Sequence, residues 1–208
     1  MPKALRLLAI TLLAAALLTA CGGRQPDGRQ PGDQTATLQG TIAVPDDFPF
    51  GAVLYLTPFD GTNPIANASA VEPDRTYVFK DVPPGEYSLL LYTTLGHGAY
   101  HPDIVLHAGK TITIDLTLEA NGTIEGTATL EGPPTQSGRI AINLLGTPLD
   151  SITNDAGGFV PLHAPPGTYT LTASKPGYET GIVREVTVKS HETTLLPTIT
   201  LTPDPEGG

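Results

Sequence analysis

Tryptophan is absent from the 208 residues, and cysteine and methionine occur once each. A single cysteine closes no disulfide within the chain and builds no cysteine-based zinc site. Basic residues are few: 11 Lys and Arg stand against 21 Asp and Glu, a formal charge of −10. An acidic chain without a basic cluster lacks the electrostatic footprint of a nucleic-acid binder. Helical periodicity of useful length is missing after residue 20, which argues against a helical bundle. There is no Gly-x-Ser-x-Gly elbow and no serine in a recognisable motif with histidine and aspartate. The chain is therefore expected not to be an enzyme, and no catalytic residue and no cofactor is assigned. What is plentiful is threonine, with 29 copies, together with 23 glycines and 21 prolines. Threonine favours strands, and glycine and proline mark the turns between them. The length allows one or two domains.

The first 20 residues have the layout of an export signal. Lys3 and Arg6 precede an apolar run over residues 7–18, broken only by Thr11. As a helix this run would reach roughly 18 Å, too short for a hydrocarbon core of roughly 30 Å. Residues 1–20 are thus read as a signal peptide and not as a membrane span. Leu18-Thr19-Ala20-Cys21 resembles the lipobox of bacterial lipoproteins. That resemblance implies cleavage before Cys21 and acylation of its thiol and new amine, so that membrane lipid is the first expected partner. The expected place is the cell envelope, facing the periplasm or the exterior. Gly22, where an Asp would signal inner-membrane retention, implies the outer membrane if the host is diderm. Residues 21–35 then form the lipidated cysteine and a tether. Gly22 to Thr35 reads GGRQPDGRQPGDQT, too polar to order itself and suited to lifting a folded part off a bilayer.

The remainder is one unit written twice. Leu38-Gln39-Gly40-Thr41 returns as Ile124-Glu125-Gly126-Thr127, 86 positions later. Val82-Pro83-Pro84-Gly85-Glu86-Tyr87-Ser88-Leu89 returns as Ala164-Pro165-Pro166-Gly167-Thr168-Tyr169-Thr170-Leu171, 82 positions later. Ile114-Asp115-Leu116-Thr117-Leu118 returns as Pro197-Thr198-Ile199-Thr200-Leu201, 83 positions later. The anchors define two copies, 36–120 and 121–203, with Asn121-Gly122 as a tight junction whose residues tolerate positive φ.

Each copy alternates apolar and polar residues in short runs, as at Leu38, Ile42 and Val44 or at Ile112, Ile114, Leu116 and Leu118. Counting weaker runs near Ile65 and Ile152, about seven strands fit each copy. Turn signals separate them. The fold class is all-β: two tandem seven-stranded antiparallel sandwiches. Pro83-Pro84-Gly85 and Pro165-Pro166-Gly167 must be corners, since proline cannot donate within a ladder. Tyr87 and Tyr169 then lead the inward face of the next strand.

The second copy carries Gly126, Thr153-Asn154-Asp155-Ala156-Gly157-Gly158-Phe159, the Pro165 to Leu171 corner and Lys175-Pro176-Gly177-Tyr178. This set resembles the carboxypeptidase regulatory-like domain, a prealbumin-like sandwich, and is similar to carbohydrate-binding-like sandwiches. The first copy is a divergent version, with Pro73-Asp74-Arg75-Thr76-Tyr77 at the hairpin and Gly96-His97-Gly98 at the later loop. The resemblance implies architecture more than function. Surface sandwiches of similar kind can carry a Lys–Asn isopeptide bond, but neither first strand has a lysine, so none is expected.

Few residues suggest chemistry. His97, His101 and Asp103 are read as lying in one loop, where metal binding competes with a plain polar loop; no metal site is assigned. Asn154 and Asp155 offer too few donors for a calcium loop and read as a hairpin turn. Asp46 and Asp47 sit in a turn and suit solvent. A comparison of the copies face by face is more telling. Setting Tyr87, Leu89 and Leu91 inward turns Leu90 and Tyr92 outward, where the second copy has Thr172 and Ser174. Setting Val53 and Tyr55 inward, against Ile140 and Ile142, turns Leu54 and Leu56 outward. Leu54, Leu56, Leu90 and Tyr92 are therefore expected to form an outward apolar patch, covered by the second copy or the Phe48–Phe50 loop, or else by a partner. The expected function is a structural or protein-interaction module in the envelope. The alternative is a carbohydrate-binding module using Tyr92, Tyr100 and Tyr178, the aromatics not assigned to cores.

Overall fold

The computed structural model describes residues 35–44, 52–59, 66–68, 74–132 and 139–204. The signal segment, Cys21, most of the tether, Asp46-Asp47 and the Phe48–Phe50 loop lie outside the described residues. Every regular element among the described residues is a strand.

The N-terminal set comprises β1 (Ala36–Ala43), β2 (Ala52–Pro58), β3 (Ala66–Ala68), β4 (Thr76–Val82), β5 (Gly85–Thr93), β6 (His97–Leu106), β7 (Thr111–Thr113), β8 (Leu116–Thr117) and β9 (Glu119–Ala120). One sheet runs β4-β1-β7, with β8 continuing along β1; the other runs β3-β2-β5-β6-β9. The C-terminal set comprises β10 (Gly122–Glu125), β11 (Ala128–Leu130), β12 (Ala141–Leu144), β13 (Asp150–Ile152), β14 (Leu162–Ala164), β15 (Gly167–Ser174), β16 (Gly181–Val188), β17 (Thr193–Leu195) and β18 (Ile199–Leu201). Its sheets run β14-β10-β17, with β11-β18 alongside, and β13-β12-β15-β16. The two plans coincide except that β9 has no C-terminal counterpart and β1 corresponds to β10 and β11 together. Pairing is antiparallel except at the return of the last strands. There β7 and β8 lie parallel to β1, and β17 and β18 lie parallel to β10 and β11.

Alternation produces these faces. In β1 every second residue is buried, from Ala36 through Leu38 and Gly40 to Ile42. In β15 the buried residues are Tyr169, Leu171 and Ala173. The buried side chains gather into two clusters. One joins Leu38, Ile42 and Phe79 of the first sheet to Leu56, Leu89 and Leu91 of the second. The other joins Ile124 and Leu201 to Ile142, Leu171 and Tyr169. Each such leucine or isoleucine contributes about 1.5–3 kcal/mol by leaving water. Polar ties close the remaining gaps. The Thr41 amide and hydroxyl donate to Asp115 Oδ1 at 2.9 and 2.7 Å, between β7 and β8. Those donors hold the exposed Asp115 carboxyl below its usual range.

Both proline corners precede a strand, and the tyrosine that follows fastens each one. Tyr87 Oη donates to the Pro83 carbonyl at 2.9 Å, and Tyr169 Oη to the Pro165 carbonyl at 2.7 Å.

Three expectations are corrected. The segment read as a His97–Asp103 loop is the first part of β6, a strand of 10 residues. A bulge absorbs Pro102 and Asp103: pairing with β5 shifts between Tyr87↔Ile104 and Leu89↔His101, and Asp103 takes φ 57°. The Asn121-Gly122 junction is not a positive-φ turn. It is a single residue between β9 and β10, and Gly122 is small because a Cβ there would stand 2.3 Å from the Lys189 carbonyl oxygen. The third correction concerns the outward patch.

Candidate functional site

Leu54 and Leu56 are fully buried in the N-terminal cluster, beside Leu89 and Leu91, and so do not belong to an outward patch. The register explains the error. In β2 Leu54 pairs with Leu91 and Leu56 with Leu89; in the C-terminal set Ile142 pairs with Ala173 and Leu144 with Leu171. Leu54 and Leu56 therefore correspond to Ile142 and Leu144, one residue off the expected alignment, and one residue exchanges the faces. Val53, expected inward, is 42% exposed. Tyr55 sits half-buried on the same outer face.

Leu90 and Tyr92 do point to the outer face of the β2-β5-β6 sheet. Their fates differ. Leu90 has no exposed surface, yet it belongs to neither core cluster. Tyr92 is half-buried and lies opposite Val53. C-terminal strands come against this face beside Leu90. Leu90 pairs with Tyr100 of β6, and the Tyr100 ring stacks on Tyr169 with centroids 4.3 Å apart and planes 18° apart. Two residues along β5 from Leu90, the fully buried Ser88 donates its hydroxyl to the Gly146 carbonyl in the β12–β13 turn. Pro165, at the second proline corner, comes against Gly98. Thr57, cross-strand from Ser88, is buried with no protein partner for its hydroxyl, and both polar atoms of the Asn121 side chain are in the same condition. Burial pushes the Tyr100 hydroxyl up to about 12, with Asp103 adding to the rise and Ser88 opposing it. Tyr169 is raised further, again chiefly by burial.

The aromatics expected to remain open are therefore mostly closed. Tyr100 lies in the seam between the two sets of strands, and Tyr178 is buried in the C-terminal cluster. Tyr92 and Tyr100 are both half-buried, but only Tyr92 lies away from the stack on Tyr169. The histidine pair is occupied locally: His97 Nδ1 donates to the Leu95 carbonyl at 3.1 Å and His101 Nδ1 to the Pro102 carbonyl at 2.9 Å. Asn154 caps a hairpin, its Oδ1 accepting from the Ala156 and Gly158 amides at 2.9 and 3.2 Å. Among the described residues no group of three His, Cys, Asp or Glu side chains is placed to hold a metal ion. Ser88 and Tyr169 lie in the repeated corner motif, which does not mark a seam; the only sequence signal for the seam was the change of the outward face from Thr172 and Ser174 to Leu90 and Tyr92.

Residues 123–202 match the carboxypeptidase regulatory-like domain family. No curated protein matches the chain in sequence. Among solved structures, a type II cohesin–X-dockerin complex of Acetivibrio cellulolyticus is similar at 22% identity and a TM-score of 0.34, covering 39% of this chain. The match spans 58% of that protein's length. The minor pilin of Streptococcus agalactiae is similar at 12% identity and a TM-score of 0.35, covering 84% of this chain and 98% of that one. The shaft pilin of Lactobacillus rhamnosus GG is similar at 11% identity and a TM-score of 0.29, covering 82% of this chain and 98% of that one.

Proposed function

We propose that the protein is a non-catalytic, lipid-anchored cell-envelope protein. Beyond a short tether it carries two sandwich modules, residues 36–120 and 121–203, and acts as a structural or protein-interaction unit. The observation that carries this reading is the repetition: one strand plan with one parallel return occurs twice, with a one-residue junction. Side chains with chemical potential serve packing and turns instead. Tyr100 stacks, Tyr178 fills a core, and Asn154 caps a hairpin. The anchor rests on the residues Leu18 to Cys21.

Labelling cells with radioactive palmitate tests the anchor. Label is expected on the wild type and none on Cys21→Ser, which should also leave the membrane fraction. An unlabelled wild type would remove the anchor from this reading. A photo-cross-linker in place of Val53, beside Tyr92, is expected to trap a discrete envelope protein in cells. The carbohydrate alternative now rests on Tyr92. Binding of residues 22–208 on a glycan array, abolished by Tyr92→Ala, would replace the interaction reading with it.

A further inference from the structure

We infer that the two modules are locked into one rigid body by a keyed seam, in which the corner of the second module is plugged into the outer face of the first module's β5–β6 sheet around Tyr100. The inference rests on the two-module division proposed above and does not depend on the lipid anchor or on any partner.

Four independent features of the chain converge on this seam. The first is the connection. β9 pairs with β6 through His97↔Ala120 and Gly98↔Glu119, and β10 begins at Gly122. Asn121 alone lies between them, and it is held from both sides. Its amide donates to the Gly96 carbonyl at 2.8 Å, and its carbonyl accepts from the His191 amide at 3.3 Å. A linker of one residue with both backbone groups engaged leaves little freedom to swivel. The second is the direct contact between the modules: the parallel stack of Tyr100 on Tyr169 and the Ser88 hydroxyl on the Gly146 carbonyl. Offset ring pairs at such separations add about 0.5–1.5 kcal/mol beyond the area they bury.

The third feature is the space made for the fit. A Cβ on Gly167 would come within 2.9 Å of Tyr100 Cδ1. One on Gly146 would come within 3.0 Å of Ser88 Oγ, and one on Gly98 within 2.5 Å of both Pro165 Cγ and the Leu91 carbonyl oxygen. Three positions, drawn from both modules, are thus kept free of side chains where the opposite module arrives. The fourth is burial. Leu90, Ser88 and Thr57 lie on the outer face of a sheet and are nonetheless buried. The positions of β15 that match Ser88 and Leu90, Thr170 and Thr172, are only partly covered. The corner prolines differ in the same sense: Pro83 is exposed, and its counterpart Pro165 is buried. The same corner motif is therefore a surface turn in the first module and a plug in the second.

The experiment is NMR relaxation on the mature chain, reading rotational correlation times separately from amides of 36–120 and 121–203. A single common value is expected for the wild type; two different values would overturn the rigid body. Tyr100→Ala and Ser88→Ala combined are expected to split the value in two while dispersed amide shifts report that both modules remain folded. Tyr100→Phe, which keeps the ring, should leave it common. Should the double variant prove poorly folded, Gly167→Val, which places a side chain against the Tyr100 ring, gives the same reading from the other face. A common value that survives these substitutions would overturn the assignment of the key to Tyr100. Amide hydrogen exchange separates that failure from failure of the two-module reading. If the chain has one undivided core, the substitutions lower protection throughout both halves; if the modules are separate but keyed elsewhere, core protection stays unchanged.

Discussion

The two halves of this protein keep the same backbone at places where their residues differ. The β5–β6 bulge lies between Tyr87↔Ile104 and Leu89↔His101; the β15–β16 bulge lies between Tyr169↔Val186 and Leu171↔Val183. Corresponding residues stand 82 positions apart. Left-handed backbone recurs at the same spacing: Arg75 and Gly157, Asp103 and Glu185, Gly109 and His191. The conformation belongs to the topology, since a bulged edge and two tight turns are needed to close either sandwich. The residue placed there is a secondary matter of stability. A side chain at a left-handed position costs roughly 1–2 kcal/mol that glycine avoids. The halves diverge where one covers the other. The outer face of β5 is apolar and buried around Leu90, and that of β15 is threonine and serine.

The largest break in this symmetry is expected at the corner tyrosines. Tyr169→Ala removes a core ring, the hydrogen bond to Pro165 and the partner of Tyr100, and should destabilise by about 3–5 kcal/mol. Tyr87→Ala loses only the first two and should cost less in a denaturant titration. Equal losses would mean that the stack contributes nothing. Alkaline pH should reveal the next difference. A buried tyrosine with a raised pKa favours the folded state below the unfolded value of 10.0, and this is lost as pH climbs toward the folded value of about 12. For Tyr100 the change is on the order of 2 kcal/mol. Tyr100→Phe should therefore flatten the fall in melting temperature above pH 10 without abolishing it, because Tyr77 and Tyr169 are raised by burial too.

Smaller effects test the left-handed turns. Replacing the side chain by the glycine of the other half, Arg75→Gly or His191→Gly, should raise stability by about 0.5–1 kcal/mol, less than the full strain because glycine is freer when unfolded. The reverse exchanges, Gly157→Ala and Gly109→Ala, should lower stability. The smallest is Thr57→Val, which removes the unpartnered buried hydroxyl and is expected to leave the melting temperature unchanged or raise it by the equivalent of about 1 kcal/mol.

Much of the architecture was legible because the repeat supplied its own alignment. The proline corners follow from the missing donor, and the inward tyrosines and the face of β5 from period two. β2 was not legible in the same way. Val53-Leu54-Tyr55-Leu56 is apolar throughout, so alternation cannot choose a face, and only pairing with Leu89 and Leu91 decides it. β6 was hidden by Gly98, Pro102 and Asp103, residues that usually end strands. Here Gly98 makes room for Pro165 and Leu91, and the bulge takes up the other two. The seam was legible only as an oddity of Leu90. That Tyr100 meets Tyr169 depends on how two units dock, and no short-range pattern records it.

The parallel return of the last strand beside the first has a mechanical meaning. Tension applied between the two ends of either sandwich would run along β1 and β7–β8, or along β10–β11 and β17–β18, in opposite directions. The hydrogen bonds between such strands lie across the pull and are loaded together in shear, not unzipped one after another. Single-molecule stretching should accordingly find each sandwich rupturing abruptly and at high force.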